Sequence, residues 1–305
     1  MHLAALAPFT ARDGENLAVY DWPLDAWDEE TQPDPAPPRA VVLIVHGLGE
    51  HAGRYRHVAR QLTQWGFAVR TYDQRGHGES GGARGTLPAE TALLDDLAEV
   101  VDDTRLRSVR LVSSVTAPVA LQKSLPLILL GHSLGGLVAS HFVALKIRPV
   151  EGLVMSSPAL DAGLGNFQKL VLRLGCKLAP NLCFGNGLDT RYISHDKRVV
   201  KAYLADRQVH NRMSSRLGQF IASAGPATVA AARNWTVPTL LMYAGSDRLV
   251  RPQGSEAFAA NAIAPGVKPG TVTARCFHSL HHELFNEVDA AAVFDMLGVW
   301  LDARF

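Results

Sequence analysis

The sequence predicts an α/β fold with a mostly parallel central sheet, helices on both faces of that sheet and an inserted helical cap. The first observation is a set of short, continuously apolar runs, such as Ala40–Val45, that are typical of strands buried on both faces. The second is that stretches with helical periodicity alternate with these runs, as they do in right-handed crossover connections. The third is that residues 158–235 interrupt this alternation with helical patterns and no clear buried strand.

Each element is predicted from its pattern of apolar residues and from the residues that end it. Runs rich in β-branched and other apolar residues predict strands at Leu17–Trp22, Ala40–Val45, Phe67–Tyr72, Pro126–Leu130, Gly152–Ser156, Val237–Tyr243 and Thr271–Phe277. Apolar residues at helical spacing predict helices from Tyr55 to Trp65, where Gly66 follows as a stop, and at Thr91–Asp103, Leu134–Leu145, Ser255–Ile263 and Val288–Leu301.

These elements divide the 305-residue chain into a core and an insertion. Residues 1–157 and 236–305 form the two parts of the predicted core, and residues 158–235 form the predicted cap. An insertion that follows a strand can lie over the carboxyl edge of the sheet, where ligands bind in open α/β folds.

Composition and charge exclude several classes of function. Hydrophobic residues make up 47% and charged residues 19% of the chain, which favours a large core over disorder. The formal net charge is +1, so we expect no nucleic-acid partner and a neutral or weakly charged substrate. Three cysteines, Cys176, Cys183 and Cys276, fit a reducing compartment. Because no signal peptide and no apolar run of about 18 residues is found, we expect a cytoplasmic protein. We also expect no cofactor.

The segment Gly131–Gly136, with the sequence GHSLGG, contains the candidate nucleophile. It lies between a predicted strand and a predicted helix, which is the context that a G-x-S-x-G nucleophile elbow requires. The tight turn strains the backbone at Ser133 and presents its hydroxyl above the sheet, and only small residues fit at Gly131 and Gly135. Ser133 is therefore the candidate nucleophile of an acyl transfer.

The backbone N–H groups of Leu48 and Leu134 are the candidate oxyanion donors. Acyl transfer needs two preorganised donors at the position where the carbonyl oxygen becomes negative. Leu134 follows the nucleophile, and Leu48 lies in the loop after the strand that begins the first crossover. Gly47 and Gly49 flank Leu48 and allow the backbone to turn inward.

A serine nucleophile needs a histidine base, which should lie on the loop after the last strand. The residues of that loop leave three candidates, His278, His281 and His282, of which His282 lies deepest in the loop. The same cluster could indicate a metal site, but the zincin pattern H-E-x-x-H is not met because Asn286 replaces its second histidine. We therefore expect no metal.

The candidate acid is Asp247, which would orient the histidine and stabilise its cation. It follows the predicted strand Val237–Tyr243 and should therefore lie at the carboxyl edge of the sheet. Asp161, at the entrance of the cap, and Asp189, inside it, are competing candidates.

Four motifs together resemble the monoacylglycerol lipase and lysophospholipase group of the α/β-hydrolases, of the serine aminopeptidase S33 type. The segments that carry the resemblance are HGLGEH at 46–51 with GRY at 53–55, YDQRGHGES at 72–80, the elbow GHSLGG at 131–136 and GSDRLV at 245–250. The last segment resembles the acid loop of the family and supports Asp247. The resemblance covers most of the chain, from about residue 10 to its end.

The resemblance implies an α/β-hydrolase fold and a carboxylic ester hydrolase with the triad Ser133, His282 and Asp247. His282 is favoured because the segment HELFNE that it begins resembles the base segment H-E-x-x-N-E of the bacterial members, although the extra histidines His278 and His281 are unusual there. The implied substrate is a small lipid ester, either a monoacylglycerol or a lysophospholipid, cleaved through an acyl-enzyme. Two other functions stay open: a carboxylesterase for small or aromatic esters, and a non-catalytic receptor with the same fold.

The cap contains an amphipathic helical stretch that begins near Leu164. Its apolar residues fall on one side, whereas Lys169, Arg173 and Lys177 recur on another. Such a helix can lie on a lipid interface or can cover the sheet and present its charges to water. The resemblance favours peripheral membrane contact through the cap, because the cap of this family resembles a hydrophobic funnel.

Overall fold

The computed structural model describes residues 5–22, 38–112 and 124–305, with the backbone alone at residues 5–8 and 109–112. Within these ranges the strands are β1 (Ala5–Thr10), β2 (Asn16–Trp22), β3 (Val41–Val45), β4 (Ala68–Tyr72), β5 (Leu127–His132), β6 (Gly152–Ser156), β7 (Cys183–Gly185), β8 (Arg212–Ser214), β9 (Thr239–Ala244) and β10 (Val272–Phe277). The main sheet has the order β1-β2-β4-β3-β5-β6-β9-β10. Only the pairings of β2 with β1 and β4 are antiparallel, so the predicted mostly parallel α/β sheet is confirmed.

The helices of the described residues surround this sheet. They are α1 (Arg56–Gln64), α2 (Ala92–Val112), α3 (Leu134–Ala144), α4 (Asn166–Leu178), α5 (Lys197–Ala205), α6 (Ser215–Ala231), α7 (Pro252–Asn261) and α8 (Ala290–Asp302). Among them, none combines the length and the apolar character that a bilayer crossing requires.

The middle strands are buried on both faces, as β3 illustrates. Leu43 and Val45 pack into an apolar cluster that α2 and α3 also line, whereas Val42 and Ile44 pack into a second cluster, lined by α1 and α8. Burial of both faces explains why these strands are continuously apolar rather than alternating.

The register of the sheet brings distant loops together at its carboxyl edge. Val45 pairs with Gly131, so the loop after β3 lies beside the turn after β5. Ala244 pairs with Phe277, so the loops after β9 and β10 are also neighbours. The four loops that hold the predicted site residues therefore leave the sheet at one edge.

Most predicted elements are present with ends shifted by one to three residues, but β1 and α2 differ more. The sequence does not predict β1 because Pro8 interrupts its apolar run, but β1 is an edge strand, where proline is tolerated. The helix predicted at Thr91–Asp103 is too short, since α2 continues to Val112. The last part of α2 contains several charged residues, so the apolar periodicity does not predict it. In this part, Arg105 donates to Glu151 over 2.9 Å.

Residues between β6 and β9 carry α4, α5 and α6 together with a small sheet. In that sheet β7 and β8 pair antiparallel, with Phe184 opposite Met213. The sequence does not predict this pair, because each strand has only three residues. The helices α4 and α6 pack on each other above the carboxyl edge, where Leu172 contacts Gly218.

Candidate active site

Ser133 occupies the turn between β5 and α3 with φ 52° and ψ −118°. This is the left-handed φ region, which strains any residue that has a side chain. A Cβ at Gly131 would overlap the carbonyl oxygen of Gly135, and a Cβ at Gly135 would overlap that of Val45. The backbone N–H of Ser133 donates to the carbonyl of Ser156 over 3.0 Å, which fixes the turn on β6. The elbow conformation predicted from the sequence is therefore present.

Ser133, His282 and Asp247 form one hydrogen-bonded chain. The hydroxyl of Ser133 donates to Nε2 of His282 over 2.8 Å, and Nδ1 of His282 donates to Oδ2 of Asp247 over 2.6 Å. The other carboxylate oxygen of Asp247 accepts the backbone N–H groups of Leu249 and Val250 over 2.8 and 3.0 Å. The carboxylate is thus held in place from both sides, and the serine proton has an acceptor.

Asp247 and His282 shift each other's pKa in opposite directions. Burial raises the pKa of Asp247, but the charge and hydrogen bond of His282 outweigh burial and hold that pKa below its ordinary value. Burial lowers the pKa of His282, but the charge and hydrogen bond of Asp247 outweigh it and raise that pKa above its ordinary value. Asp247 is therefore ionised at neutral pH and favours the cation that His282 forms when it takes a proton.

The two alternative bases lie elsewhere. His278 is directed to Cys276, with 3.5 Å between Nδ1 and Sγ. The ring of His281 stacks on that of His195, with 3.6 Å between the ring centroids. Of the three candidates in this loop, the structure brings only His282 to Ser133.

The two alternative acids are also engaged elsewhere. Asp161 accepts the backbone N–H of Gly163 over 2.8 Å within its own turn. Asp189 forms an exposed ion pair with Arg191 at 2.6 Å.

Leu48 and Leu134, the candidate oxyanion donors, line the same cavity as Ser133. Within the described part of the chain, neither backbone N–H has a hydrogen-bond acceptor. The loop before Leu48 is fixed because the N–H of Gly47 donates to Oε1 of Glu50 over 2.6 Å. Both donors are therefore free for a ligand and stand on fixed backbone.

A buried ionic network supports the oxyanion loop and the base loop together. Arg54 donates to Glu50 over 2.5 Å and to both carboxylate oxygens of Glu283 over 2.7 Å each. Tyr55 donates to Glu50 over 2.6 Å. Burial raises the pKa of Glu50, but Arg54 and neighbouring groups outweigh burial and lower that pKa to about 2. The motifs around 46–55 and 282–287 contain these residues, but nothing in the sequence indicates that they pair.

His132 is a further residue of the site that the sequence does not single out. Its ring centroid lies 4.7 Å from that of His282. Burial and the neighbouring His282 lower the pKa of His132 to about 4, so the ring is neutral at physiological pH. A neutral ring packs against the base without adding a positive charge beside it.

A cavity of about 650 Å³ extends from Ser133 beneath the segment between β6 and β9. Its lining is mostly apolar and includes Leu164, Val171 and Leu172 of that segment. Among the described residues that line it, none is charged. The cavity therefore fits an uncharged, largely hydrocarbon ligand.

The order of the strands and the position of the serine turn after β5 define the α/β-hydrolase class. The chain belongs to the Hydrolase_4 family, described as serine aminopeptidase S33, whose model matches residues 36–289. The resemblance that the sequence motifs indicated is thereby confirmed.

Relatives of the chain include several lipases. It is 33% identical to the monoacylglycerol lipase of Mycolicibacterium smegmatis over 280 residues, with 91% of each chain covered. It is 30% identical to the phospholipase YtpA of Bacillus subtilis, with 87% of this chain and 96% of the relative covered. The crystal structure of the Paleococcus ferrophilus monoacylglycerol lipase superposes with a TM-score of 0.76 at 26% identity, covering 95% of this chain and 99% of that one.

Proposed function

We propose that the chain hydrolyses carboxylic esters of monoacyl lipids through Ser133, His282 and Asp247. The observation that carries the proposal is the continuous hydrogen-bonded chain from the serine hydroxyl to the buried carboxylate. A hydroxyl becomes a competent nucleophile when a positioned imidazole accepts its proton during attack.

The proposed reaction has two halves. Oγ of Ser133 attacks the ester carbonyl while Nε2 of His282 takes the hydroxyl proton, and Asp247 stabilises the resulting cation. Collapse of the tetrahedral intermediate expels the alcohol, which receives the proton from His282 and leaves an acyl-enzyme. Water then gives a proton to the same imidazole and attacks the acyl carbon, which releases the fatty acid and regenerates Ser133.

The backbone N–H groups of Leu48 and Leu134 are proposed to bind the oxyanion in both halves. Each lacks an acceptor within the described part of the chain, and each lines the cavity that holds Ser133. Preorganised donors of this kind stabilise the charge that develops on the carbonyl oxygen without reorganisation during the reaction.

The proposed substrate class rests on the cavity and on the relatives. A single acyl chain fits an uncharged, mostly apolar cavity of about 650 Å³. Relatives covered over most of their length are named monoacylglycerol lipase and phospholipase. The family description names an aminopeptidase, but a free α-amino group would need a carboxylate, and none lines this cavity within the described residues.

Residues 158–235 are proposed to act as a cap that contacts a lipid surface. On α4, the side chains of Phe167, Leu170, Leu174 and Leu178 are each at least half exposed. Phe167 also lines the cavity, so the apolar outer face of α4 continues into the mouth of the proposed acyl site. An interfacial helix with this arrangement would deliver a lipid directly from the membrane surface.

The three free cysteines support a reducing compartment.

A substrate panel on the wild type and on Ser133→Ala tests the proposal. We expect turnover of a monoacylglycerol or a lysophospholipid by the wild type, and a loss of several orders of magnitude in the variant, with an unchanged circular dichroism spectrum. The panel includes p-nitrophenyl butyrate, an aromatic ester and an aminoacyl p-nitroanilide, with stoichiometric labelling by a fluorophosphonate measured in parallel.

Each other outcome rejects a defined part of the proposal. Hydrolysis of small or aromatic esters without any monoacyl lipid would reject the lipid substrate and indicate a general carboxylesterase. Cleavage of the anilide alone would indicate a peptidase. Absence of both label and turnover would indicate a receptor.

A further inference from the structure

Three potential metal ligands converge where the cap meets the loop of His282. His195 lies in the cap segment before α5, His281 directly precedes His282, and Glu287 lies shortly before α8. One ligand atom from each lies within 4.8 Å of the other two. Among the residues that the structure describes, this is the group of three potential metal ligands that lie this close together.

The side chains are already paired, but one nitrogen is not satisfied. Nδ1 of His195 donates to Oε1 of Glu287 over 2.8 Å. The two imidazole rings lie nearly parallel, with an angle of 21° between them. Nδ1 of His281 is buried and has no hydrogen-bond partner in the described part of the chain. A bound cation would satisfy this nitrogen, which the protein leaves without a partner.

The carboxylate at the centre of the group is buried and negatively charged. The side chain of Glu287 is 0% exposed. Its Oε1 also accepts the backbone N–H of His281 over 2.7 Å. Burial raises the pKa of Glu287, but these hydrogen bonds outweigh it and lower that pKa, so the group carries a negative charge at neutral pH.

The backbones that carry the three residues are tied to one another. The N–H of Glu283 donates to the carbonyl of Ile193 over 2.8 Å, and Oγ of Ser194 donates to the carbonyl of Asn286 over 2.8 Å. The ligands therefore stand on a preorganised frame, which lowers the entropy lost when a metal binds.

We propose that His195, His281 and Glu287 bind a divalent transition metal ion, with Zn²⁺ as the ion that the ligand set fits best. Two imidazoles and one carboxylate are a common zinc set, and a water molecule completes the tetrahedron. Ligand atoms on one zinc ion lie about 3.4 Å apart, given bond lengths of about 2.1 Å, and an imidazole binds zinc in the plane of its ring. Binding therefore requires the two stacked rings to rotate out of their nearly parallel arrangement, so that one nitrogen of each is directed at the same ion. Zn²⁺ at Nδ1 of His195 takes the place of the hydrogen that this atom shares with Glu287, and that proton moves to Nε2 of the same ring, so the imidazole binds in its neutral form.

The site would join two segments that are distant in the sequence. His195 lies between β6 and β9, whereas His281 directly precedes the segment HELFNE and Glu287 is the last residue of that segment. Occupancy would fix the cap to the loop of His282 and raise the thermal midpoint, because the metal binds the folded chain preferentially. This inference does not depend on the identity of the substrate.

Titration of the full chain, without an affinity tag, with zinc chloride tests the proposal. Competition with a chromophoric chelator gives the affinity, and thermal unfolding gives the stabilisation. We expect one zinc ion per chain, with a micromolar or tighter dissociation constant and a higher thermal midpoint. We expect His195→Ala and His281→Ala each to weaken binding by at least about tenfold and to remove most of the thermal shift. His195 is half exposed, so its variant tests the site even if His281→Ala folds poorly.

Two control variants separate this site from its neighbours. His278→Ala removes the imidazole that faces Cys276 in the same loop, and His282→Ala removes the imidazole that faces Asp247. Both should bind zinc with the wild-type affinity. Absence of stoichiometric binding, or binding that is lost in either control but kept in His195→Ala, would overturn the proposal.

Discussion

In the proposed mechanism, His282 can activate the hydroxyl of Ser133 only while its imidazole is neutral. The groups that face His282 are Asp247, Glu283 and Glu50, which raise its pKa against the effect of burial, and His132, which is neutral because its own pKa is about 4. The raised pKa means that the cationic, inactive form of His282 persists to a higher pH than it would for a free imidazole.

We therefore expect kcat/KM to fall as the pH is lowered, with a midpoint above the ordinary histidine value of about 6.5. The measurement is a pH profile with an ester whose leaving group does not titrate in this range. An activity that stays constant well below that value would contradict the assignment of His282 as the base.

In the proposed triad, Asp247 keeps His282 in the tautomer that can accept the serine proton. Asp247→Asn removes the negative charge but can keep the two backbone hydrogen bonds to Oδ1. We expect kcat to fall by about 10⁴-fold with little change in stability, as happens when the imidazole of a triad is mispaired. Steady-state kinetics and chemical denaturation measure the two quantities.

The matched control is Asp161→Asn, since Asp161 is an alternative acid whose carboxylate accepts the backbone N–H of Gly163 in its own turn. It should retain activity close to that of the wild type. A large loss in the control and none in Asp247→Asn would reverse the assignment.

At the scale of elements, Arg54 joins the start of α1 to the loop before α8. It bonds Glu50 and Glu283, and its guanidinium also lies 4.7 Å from the ring centroid of Tyr203 on α5. Arg54→Met would leave two buried carboxylates without their partner. We expect the free energy of unfolding to fall by about 3–5 kcal/mol, as measured by urea denaturation.

Arg191→Met provides the comparison, because the side chain of Arg191 is exposed and its ion pair with Asp189 is screened by water. Its unfolding free energy should stay close to that of the wild type. Equal effects of both variants would show that burial of the Arg54 network has no special importance for stability.

The apolar outer face of α4 predicts vesicle binding that depends on individual leucines. Leu178 and Leu170 are 84% and 51% exposed, and neither lines the cavity. Burying a leucine side chain in a membrane is worth about 1.5–3 kcal/mol, so Leu178→Asp and Leu170→Asp should each weaken binding to phospholipid vesicles by on the order of tenfold. Co-sedimentation measures the partition coefficient.

Leu106→Asp is the matched control, since Leu106 is 72% exposed on α2, which belongs to the core. It should leave vesicle binding unchanged. Equal loss in all three variants would exclude α4 as the membrane-contacting surface.

At the scale of the whole molecule, the sheet and the order of its loops could be predicted from local patterns. Strands such as β3 are continuously apolar because both faces are buried, and Gly131 and Gly135 are required by the turn that holds Ser133. These signals lie within a few residues of one another, so a single sequence contains them.

The features that could not be predicted depend on contacts between distant segments. β1 contains Pro8 and is recognisable as a strand only beside β2. Arg54 and Glu283 pair across most of the chain, and His195 contacts His281 only after residues 158–235 have packed on the loop that contains His282. The choice among His278, His281 and His282 needed either a family motif or the fold, because their positions in the loop left all three as candidates.

The hydrogen bonds from the base segment to the carbonyls of Tyr192 and Ile193 limit how the insertion can be exchanged or opened. Both carbonyls belong to residues 158–235. Deleting those residues would therefore remove two hydrogen bonds that fix the segment around His282. A chimaera that carries the cap of another protein should therefore keep residues 192–195 of this chain and replace only the stretch that contains α4. When the mouth of the cavity opens, we likewise expect α4 to move and residues 192–195, beside His282, to stay in place.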